Sequence, residues 1–298
     1  MPEVSFPTLD RNRAGRQARD EHRRPGRLAF VRPETLLLTL FGDHVLDRGI
    51  AVSTGGVLTA LARLGVGEHA TRTTLSRMSR RDLLRTVRRG RQAFLALTGH
   101  GTTVLRDGQR KLDGEVVERH WDGRWTLLTF SVPETRRADR HALRTRLAWF
   151  GFGPLRSGLW VSTSTTDISS ALAELDLLDH AEVFRAEAHL WTDPARIARE
   201  AWDLPAIAAG YETFLHRWTG ETHGDLDDLD DLDDLSRRVQ LGAEWLQLIR
   251  HDPVLPVALL PDDWPGVRAA ALFRTLRHRW TRSADKLSAE LLESIVDE

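Results

Sequence analysis

Cysteine is absent from this 298-residue sequence, and so is any long apolar run. Without cysteine the chain has no disulfide scaffold, no thiolate zinc site and no cysteine nucleophile. The longest stretches free of charged residues are the fourteen residues of Gly49–Ala62 and the fourteen of Gln92–Leu105, whereas a transmembrane helix needs about 20 apolar residues. The arginines between residues 11 and 24 precede no apolar stretch, so they do not form a secretory signal. The sequence therefore predicts a cytoplasmic protein without membrane association.

Lysine is scarce as well, because only Lys111 and Lys286 accompany the arginines, and the basic residues are unevenly distributed. Residues 11–111 hold 21 basic and 8 acidic residues, a net charge of +13, whereas the remainder of the chain carries −14. An asymmetry of this kind is typical of a chain in which one part meets a polyanion. The pattern predicts nucleic acid as the partner of the basic part.

Tryptophan is missing from the basic part, because all ten tryptophans lie between Trp121 and Trp280. This change of composition and the apolar patterns predict an α+β multidomain protein with an N-terminal winged helix-turn-helix, a ferredoxin-like middle domain and an α-helical C-terminal domain. The predicted boundaries are a flexible arginine-rich arm at 1–31, the winged-helix DNA-binding domain at 32–105, a linker at 106–120, the ferredoxin-like dimerisation domain at 121–192, and the helical domain at 193–298 with an acidic insertion at 225–235.

Three helical patterns followed by a hairpin make up the basic part. Pro33 suits the first turn of one helix, Ser53 is a suitable N-cap for the second, and the third spans residues 68–80. Strand-like runs at 83–87 and 92–97 follow, joined by an Arg-Arg-Gly-Arg turn. Helix, helix, tight turn, helix and basic hairpin is the order of a winged helix-turn-helix.

The third helix turns arginines and hydroxyls away from its apolar stripe and carries no acid after Glu68 until Asp82. Such a face suits the major groove, where arginine reads guanine edges and hydroxyls bind phosphates or bases. The hairpin arginines can contact the phosphate backbone beside the helix. The alternative is a solvated cationic face with no part in DNA binding. The predicted DNA-binding residues are His69, Arg72, Thr73, Ser76, Arg77, Arg80, Arg88, Arg89 and Arg91.

The middle of the chain alternates strands and helices. Strand patterns cover 124–132, 159–163 and 181–190, with a helix at 139–150 and another that Asp167 caps. This β-α-β-α-β series indicates a ferredoxin-like sandwich with helices on one face of a sheet.

Helical patterns dominate after Asp193. One apolar stripe runs from Leu204 to Trp218, and another joins Leu287, Leu291 and Ile295. The repeat DLDDLDDLDDL at 225–235 lacks the central glycine and the final glutamate of an EF-hand. Low complexity and self-repulsion indicate an acidic insertion rather than a calcium loop.

Several stretches resemble the PaaX-type family of transcriptional repressors. They are LLLTLFGD at 36–43, ATRTTLSRM at 70–78, WTLLTFSVPE at 125–134 and LAWFGFGPLRSGLWVS at 147–162. The glycine-rich part of the last stretch, residues 151–162, is the most specific. The resemblance implies a winged helix, a middle domain shaped like a small CRISPR-associated nuclease, and a helical C-terminal domain.

The same resemblance implies a homodimeric repressor that binds double-stranded operator DNA of an aromatic-acid catabolic operon, chiefly for phenylacetate. It also implies release of the DNA when phenylacetyl-CoA or another acyl-CoA binds, with no resident cofactor or metal. An aromatic acyl group suits a tryptophan-lined pocket, and arginines could meet the phosphates of the thioester. The residues proposed for that ligand are Arg144, Trp149, Arg156 and Trp160.

Two functions of other classes remain open at this point. A metal-dependent nuclease built on the middle domain would need a metal-binding aspartate at the end of the first strand. That strand ends at Val132-Pro133 with no carboxylate before Glu134, and hard divalent cations prefer carboxylate oxygens. A protein-binding adaptor with nonspecific DNA affinity is the other alternative. The sequence favours a regulator that is not an enzyme.

Overall fold

A computed structural model describes residues 31–220 and 232–297 of the chain. The arginine-rich arm predicted at 1–31 lies outside these residues except for Val31. Most of the acidic insertion predicted at 225–235 also lies outside them. Within the described ranges, no helix combines the length and the apolar character needed to cross a bilayer.

Eleven α-helices and two four-stranded antiparallel sheets occur in the described residues, which confirms the predicted α+β class. The helices are α1 (Pro33–His44), α2 (Thr54–Arg63), α3 (Glu68–Arg80), α4 (Gly99–Asp113), α5 (Arg137–Trp149), α6 (Ser169–Glu174), α7 (Pro194–Ala201), α8 (Leu204–Thr219), α9 (Asp234–Ile249), α10 (Gly266–Arg279) and α11 (Thr281–Leu292). The strands are β1 (Ile50–Ser53), β2 (Leu84–Arg89), β3 (Gln92–Leu97), β4 (Arg124–Phe130), β5 (Gly153–Arg156), β6 (Leu159–Ser162), β7 (Ala181–Glu187) and β8 (Ser294–Val296).

The first sheet has the strand order β2-β3-β1-β8 and combines both ends of the described chain. Strand β8 pairs antiparallel with β1, where Ile50 faces Val296. The prediction that Ile295 continues a helical stripe is therefore wrong, because α11 ends at Leu292 and Ile295 lies in β8. Glu293, with a φ of +41°, stands between the helix and the strand.

One apolar core joins the first and last parts of the described chain. Helix α1 packs against α9, and α2 packs against α11. Leu37 and Leu61 from the N-terminal part share this core with Val239 and Leu292 from the C-terminal part. This core contains residues from both segments that the sequence predicts as separate domains, 32–105 and 193–298. An amphipathic face is buried by whichever element covers it and not by its neighbour in sequence.

Helix α4 occupies half of the predicted linker. It spans Gly99–Asp113, with the Thr98 hydroxyl accepting a hydrogen bond from the Gly101 amide at 2.9 Å as its N-terminal cap. Leu105 and Leu112 are buried on one side of this helix. The sequence of 106–120 does not predict this helix, because it has few apolar positions and contains glycines, which disfavour helix formation.

The start of α4 approaches the segment that precedes β2. A Cβ atom at Gly101 would overlap the backbone carbonyl of Leu83. Gly108, in the same helix, has open space around the corresponding position. The two glycines therefore differ in what an added side chain would meet.

Gly101→Ala is therefore expected to lower the free energy of unfolding by about 1–3 kcal/mol, because the overlap is with backbone that must move. Gly108→Ala is the matched control and should raise the same quantity by about 0.5–1 kcal/mol, because alanine favours the helix. Urea denaturation followed by circular dichroism measures both. A similar change in both variants would contradict the close approach.

The second sheet belongs to the middle of the chain and has the order β5-β6-β4-β7. Its strands and helices follow one another as β4-α5-β5-β6-α6-β7, and all neighbouring strands are antiparallel. Leu128 from β4 packs with Leu143, Leu147 and Leu172 from α5 and α6. Helices thus cover one face of this sheet, and β7 forms one of its edges.

Candidate nucleic-acid interface

Helix α3 buries four residues against the N-terminal core, namely Thr71, Thr74, Leu75 and Met78. The two threonine hydroxyls donate to the backbone carbonyls four residues earlier, at 3.2 Å to Gly67 and 2.8 Å to Ala70. These bonds satisfy the buried hydroxyls, so threonine can take core positions here. The helix therefore has a fixed inner side, and its other side faces solvent.

Asp82 ends α3 and directs the chain into the hairpin. It has a φ of +53°, which is the left-handed region usually taken by glycine after a helix and tolerated by aspartate. The amides of Asp82 and Leu83 donate to the carbonyls of Ser79 and Met78 at 3.0 and 2.9 Å. This Schellman arrangement closes the helix, and β2 starts one residue later at Leu84.

The hairpin formed by β2 and β3 is closed by a two-residue turn. Arg89 faces Gln92, and Gly90 between them has a φ of +62°. Glycine at the first position of a two-residue turn fits the twist of the flanking strands. The turn places Arg88, Arg89 and Arg91 on the exposed tip.

The structure exposes all nine residues predicted to bind DNA, on α3 and on the adjacent hairpin. Arg72 is paired within its own helix, with its Nε 2.7 Å from Oε1 of Glu68. In the described part of the chain, five other cations of the set have no carboxylate at ion-pairing distance: Arg77, Arg80, Arg88, Arg89 and Arg91. The Arg77 guanidinium is 3.4 Å from the Thr74 hydroxyl, which it contacts as a donor.

Most other arginines of this region are neutralised by acidic partners. Arg81, which follows α3, pairs with Glu34, and Arg85, on β2, pairs with Asp297. Arg63 at the end of α2 pairs with Asp233. The unpaired positive charge is thus concentrated on the outer side of α3 and on the hairpin tip.

A concave feature lies between the middle sheet and the C-terminal part of the chain. It is a cavity of about 500 Å³ whose lining is mainly apolar. Phe152 and Trp160 line it from the middle of the chain, Leu248 lines it from α9, and Trp202 and His251 line it from the residues that follow α7 and α9. Burial lowers the pKa of His251, which keeps its imidazole neutral at pH 7.

Of the four residues proposed for an acyl-CoA ligand, only Trp160 lines this cavity. Arg144 is exposed on α5, and Arg156 pairs with Glu200 at 3.1 Å. The Trp149 ring lies 4.5 Å from Nζ of Lys111, which also donates to the Trp149 carbonyl at 2.7 Å. Burial lowers the pKa of Lys111 to about 8.

Sequence reasoning missed Trp202 as a cavity residue. Its ring packs so closely on Gly153 that a Cβ atom there would overlap it. The glycine-rich stretch at 151–162 was the available signal, because glycine in a strand often marks a close approach of another group. It could not say which distant residue approaches.

No group of three potential metal ligands comes together among residues 31–220 and 232–297. The end of β4 lies beside a small cleft lined by Asp179, His180 and Glu182 together with Thr129 and Ser131.

Comparison with known proteins adds independent findings. Three family models match the chain: "PaaX-like protein" at residues 32–101, "PaaX protein central Cas2-like domain" at 118–198, and "PaaX-like protein C-terminal domain" at 202–290. The chain is 29% identical over 273 residues to the transcriptional repressor PaaX of Escherichia coli (strain K12), covering 89% of this chain and 85% of that protein. An uncharacterized protein from Mycobacterium tuberculosis has a similar fold, with a TM-score of 0.56 and 24% identity over 88% of this chain and 98% of the other.

The three matched segments follow one another along the chain in the order that the sequence resemblance implied. The relationship to a repressor confirms the prediction of a regulator that is not an enzyme. The chain belongs to the PaaX-type family of transcriptional repressors.

Proposed function

We propose that this repressor binds operator DNA sequence-specifically through a winged helix-turn-helix at residues 32–105. The observation that carries the proposal is the set of five exposed arginines without acidic partners on α3 and the hairpin tip. Arginines left unpaired in the protein are available for phosphates and guanine edges, and each such contact releases condensed counterions.

Helix α3 is the proposed recognition helix, and the hairpin is the proposed wing. Arg72, Thr73, Ser76 and Arg77 read or position bases in the major groove, while His69 and Arg80 flank them. Arg88, Arg89 and Arg91 contact the phosphate backbone. Because the operator is genomic DNA, we place the protein in the cytoplasm.

Arg77→Ala and Arg89→Ala are expected to weaken DNA binding in different ways. Losing a base contact at Arg77 should cost about 1–3 kcal/mol at one operator position and relax the preference there. Losing a phosphate contact at Arg89 should weaken all sequences alike and reduce the slope of log K against log salt by about 1. Fluorescence anisotropy over a salt series with operator and scrambled duplexes separates the two.

Arg268→Ala supplies the matched control, since this arginine is exposed on α10 and paired with Glu212. It should leave affinity and salt slope as in the parent protein. Unchanged binding in both interface variants would show that another surface contacts the DNA.

We further propose that the middle domain is ferredoxin-like and serves dimerisation. The strand order β7-β4-β6-β5 with two crossing helices supports the first part, and the match of residues 118–198 to a Cas2-like domain agrees with it. Two recognition helices in a two-fold dimer read half-sites about 10 bp, or a multiple of it, apart. We therefore expect the operator to contain two inverted half-sites at this spacing.

For the effector we propose phenylacetyl-CoA or another acyl-CoA, which would make the regulated genes an aromatic-acid catabolic operon of the phenylacetate type. The support is a cavity whose size and apolar lining suit an aromatic acyl group, with Trp160 and Trp202 as ring-stacking partners. Arg144 and Arg156 remain candidates for the phosphates, and Arg156 would have to leave Glu200.

Helix α9 gives this cavity a physical route to the DNA-binding part. Gln247 and Leu248 near its C-terminal end line the cavity. Leu235 and Val239 near its other end belong to the core shared with α1. A ligand that displaces α9 therefore affects the N-terminal helices without contacting them. This requires that the ligand bind one position of α9 more tightly than another.

Binding of the purified protein to the DNA upstream of its own gene is compared with its binding to scrambled DNA at fixed salt, with and without phenylacetyl-CoA. This measurement tests sequence-specific DNA binding and the proposed effector together. We expect a preference of about a thousandfold or more, lost on addition of phenylacetyl-CoA. Trp202→Ala should keep the preference and abolish the release, and Trp149→Ala, outside the cavity, should keep both. Preference without release would reject the effector alone, and no preference would favour the adaptor.

A further inference from the structure

Exposed apolar side chains cluster around β7. Eight large apolar side chains are exposed among the described residues, and five of them fall within residues 178–191. The exposed fractions are 50% for Leu178, 48% for Val183, 54% for Phe184, 100% for Leu190 and 82% for Trp191. Adjacent residues of a strand point to opposite faces of the sheet, so Val183 and Phe184 leave apolar surface on both sides of this strand. Exposed apolar surface concentrated in one segment marks an interaction site.

The backbone of β7 points to the kind of partner. This strand is an edge of the middle sheet and pairs with β4 alone among the described strands. Its outer amides and carbonyls are therefore open to another strand, which is the usual mode of edge-to-edge association. Val183 and Phe184, the two apolar residues at the centre of the strand, lie between Glu182 and Arg185, and β7 contains no proline.

We propose that β7 pairs antiparallel with β7 of a second copy of the chain, centred on Phe184. This inference rests on the homodimer proposed above and identifies its surface. The two middle sheets then join into one continuous eight-stranded sheet across a two-fold axis. Such a contact is isologous, as expected of a closed dimer.

Symmetry restricts the register of this pairing. Facing residues of an antiparallel pair lie on the same side of the sheet, so a strand that pairs with its own copy must be centred on a residue. Centring on Glu182 or on Arg185 would place two like charges opposite each other, which is unfavourable. Centring on Val183 would place Glu182 opposite Phe184.

The register centred on Phe184 pairs the apolar groups with one another. It sets each Phe184 ring against its counterpart and Val183 against the aliphatic stem of Arg185, whose guanidinium is held by Asp122 at 2.9 Å. The paired strands end at Ala181 and Glu187, so Leu178, Leu190 and Trp191 lie beside this contact and not within its ladder. Val183 and Phe184 are the exposed side chains that the pairing brings to the centre of the contact.

Disulfide cross-linking tests the register, since the chain contains no cysteine. In Phe184→Cys, the two introduced residues would face each other with Cα atoms about 4.5–5.5 Å apart, within the range that a disulfide spans. In Val183→Cys, the two copies would be diagonal, at about 7–8 Å, which is beyond that range. Mild oxidation should therefore convert Phe184→Cys, and not Val183→Cys, into a covalent dimer on a non-reducing gel, and operator binding should survive.

Light scattering tests the energetic importance of the surface. Phe184→Glu should raise the dimer dissociation constant at least about thirtyfold, the loss expected for a central aromatic anchor. Val267→Glu, at an exposed valine of α10 outside the cluster, should leave it unchanged. Circular dichroism verifies that both variants are folded.

The outcomes separate this surface from the dimer itself. A parent protein that is dimeric, with no cross-linking at residue 184 and no effect of Phe184→Glu, would overturn the β7 surface and keep the dimer. A parent protein that is monomeric at every concentration would overturn both and leave DNA binding by α3 untouched. Cross-linking through Val183→Cys alone would overturn the proposed register.

Discussion

Asp43→Ala is expected to lower the free energy of unfolding by about 3–5 kcal/mol, the cost of leaving buried charges without their partner. The Asp43 carboxylate, 5% exposed, accepts hydrogen bonds from Arg238 Nε and from Arg277, each at 3.0 Å. Its removal leaves two guanidinium groups close together with reduced compensation. Of its partners among the described residues, Arg238 keeps the Arg277 carbonyl and the Thr281 hydroxyl, at 2.8 and 2.7 Å.

The network also links α1 in the N-terminal part to α9 and α10 in the C-terminal part, so its loss should reduce the cooperativity of unfolding between these two parts. Asp107→Ala is the matched control, because Asp107 of α4 pairs with Arg110 at the surface, where ion pairs contribute little. Urea denaturation at pH 7 measures both variants. If the two aspartate variants lost stability equally, the buried network would not be the cause.

Acidification from pH 7 to about pH 4 is expected to remove about 3 kcal/mol of stability through His44 alone. Burial lowers the pKa of this histidine to about 4, and it outweighs the carboxylates of Asp43 and Asp285, which raise it. Nδ1 is 3.5 Å from Asp285, and neither ring nitrogen has a hydrogen-bond partner among the described residues. At that distance the carboxylate attracts a proton only weakly.

The loss of stability on acidification follows from the difference in proton uptake between the folded and unfolded states. An unfolded histidine titrates near pH 6.5, so between pH 6.5 and 4 the unfolded chain binds a proton that the folded chain refuses. The unfolded state then gains stability as pH falls, and the contribution is intact only above about pH 6.5.

His44→Leu should flatten this part of the pH profile, because leucine cannot take up the proton. His278→Leu, at an exposed position on α10, should leave the profile as in the parent protein. The measurement is the free energy of unfolding at pH 7 and pH 4.5, compared between parent and variant so that shared carboxylate effects cancel. A parent profile as flat as that of His44→Leu would contradict the buried neutral imidazole.

Local sequence was sufficient for the elements that carry the proposed DNA interface. The predicted third helix at 68–80 coincides with α3, and the Ser53 hydroxyl caps α2 by accepting from the Gly56 amide at 3.0 Å. The hairpin follows from a glycine turn between two short apolar runs. A helical period, a capping side chain and a turn glycine each act within a few residues, so neighbours in sequence contain the information.

Tertiary structure alone decided the features built from distant residues. Strand β8 exists because β1 offers it a partner more than 200 residues away. The Arg156 side chain forms an ion pair with Glu200, and Trp202 lines the cavity whereas Trp149 does not. Whether an arginine stays free for DNA or is neutralised depends on which carboxylate the fold brings to it, as Asp297 is brought to Arg85. Composition could predict a basic surface, but only the packing of remote elements determines which charges remain unpaired on it. The physical reason is that ion pairs, cavities and edge strands depend on distance in space and not on distance along the chain.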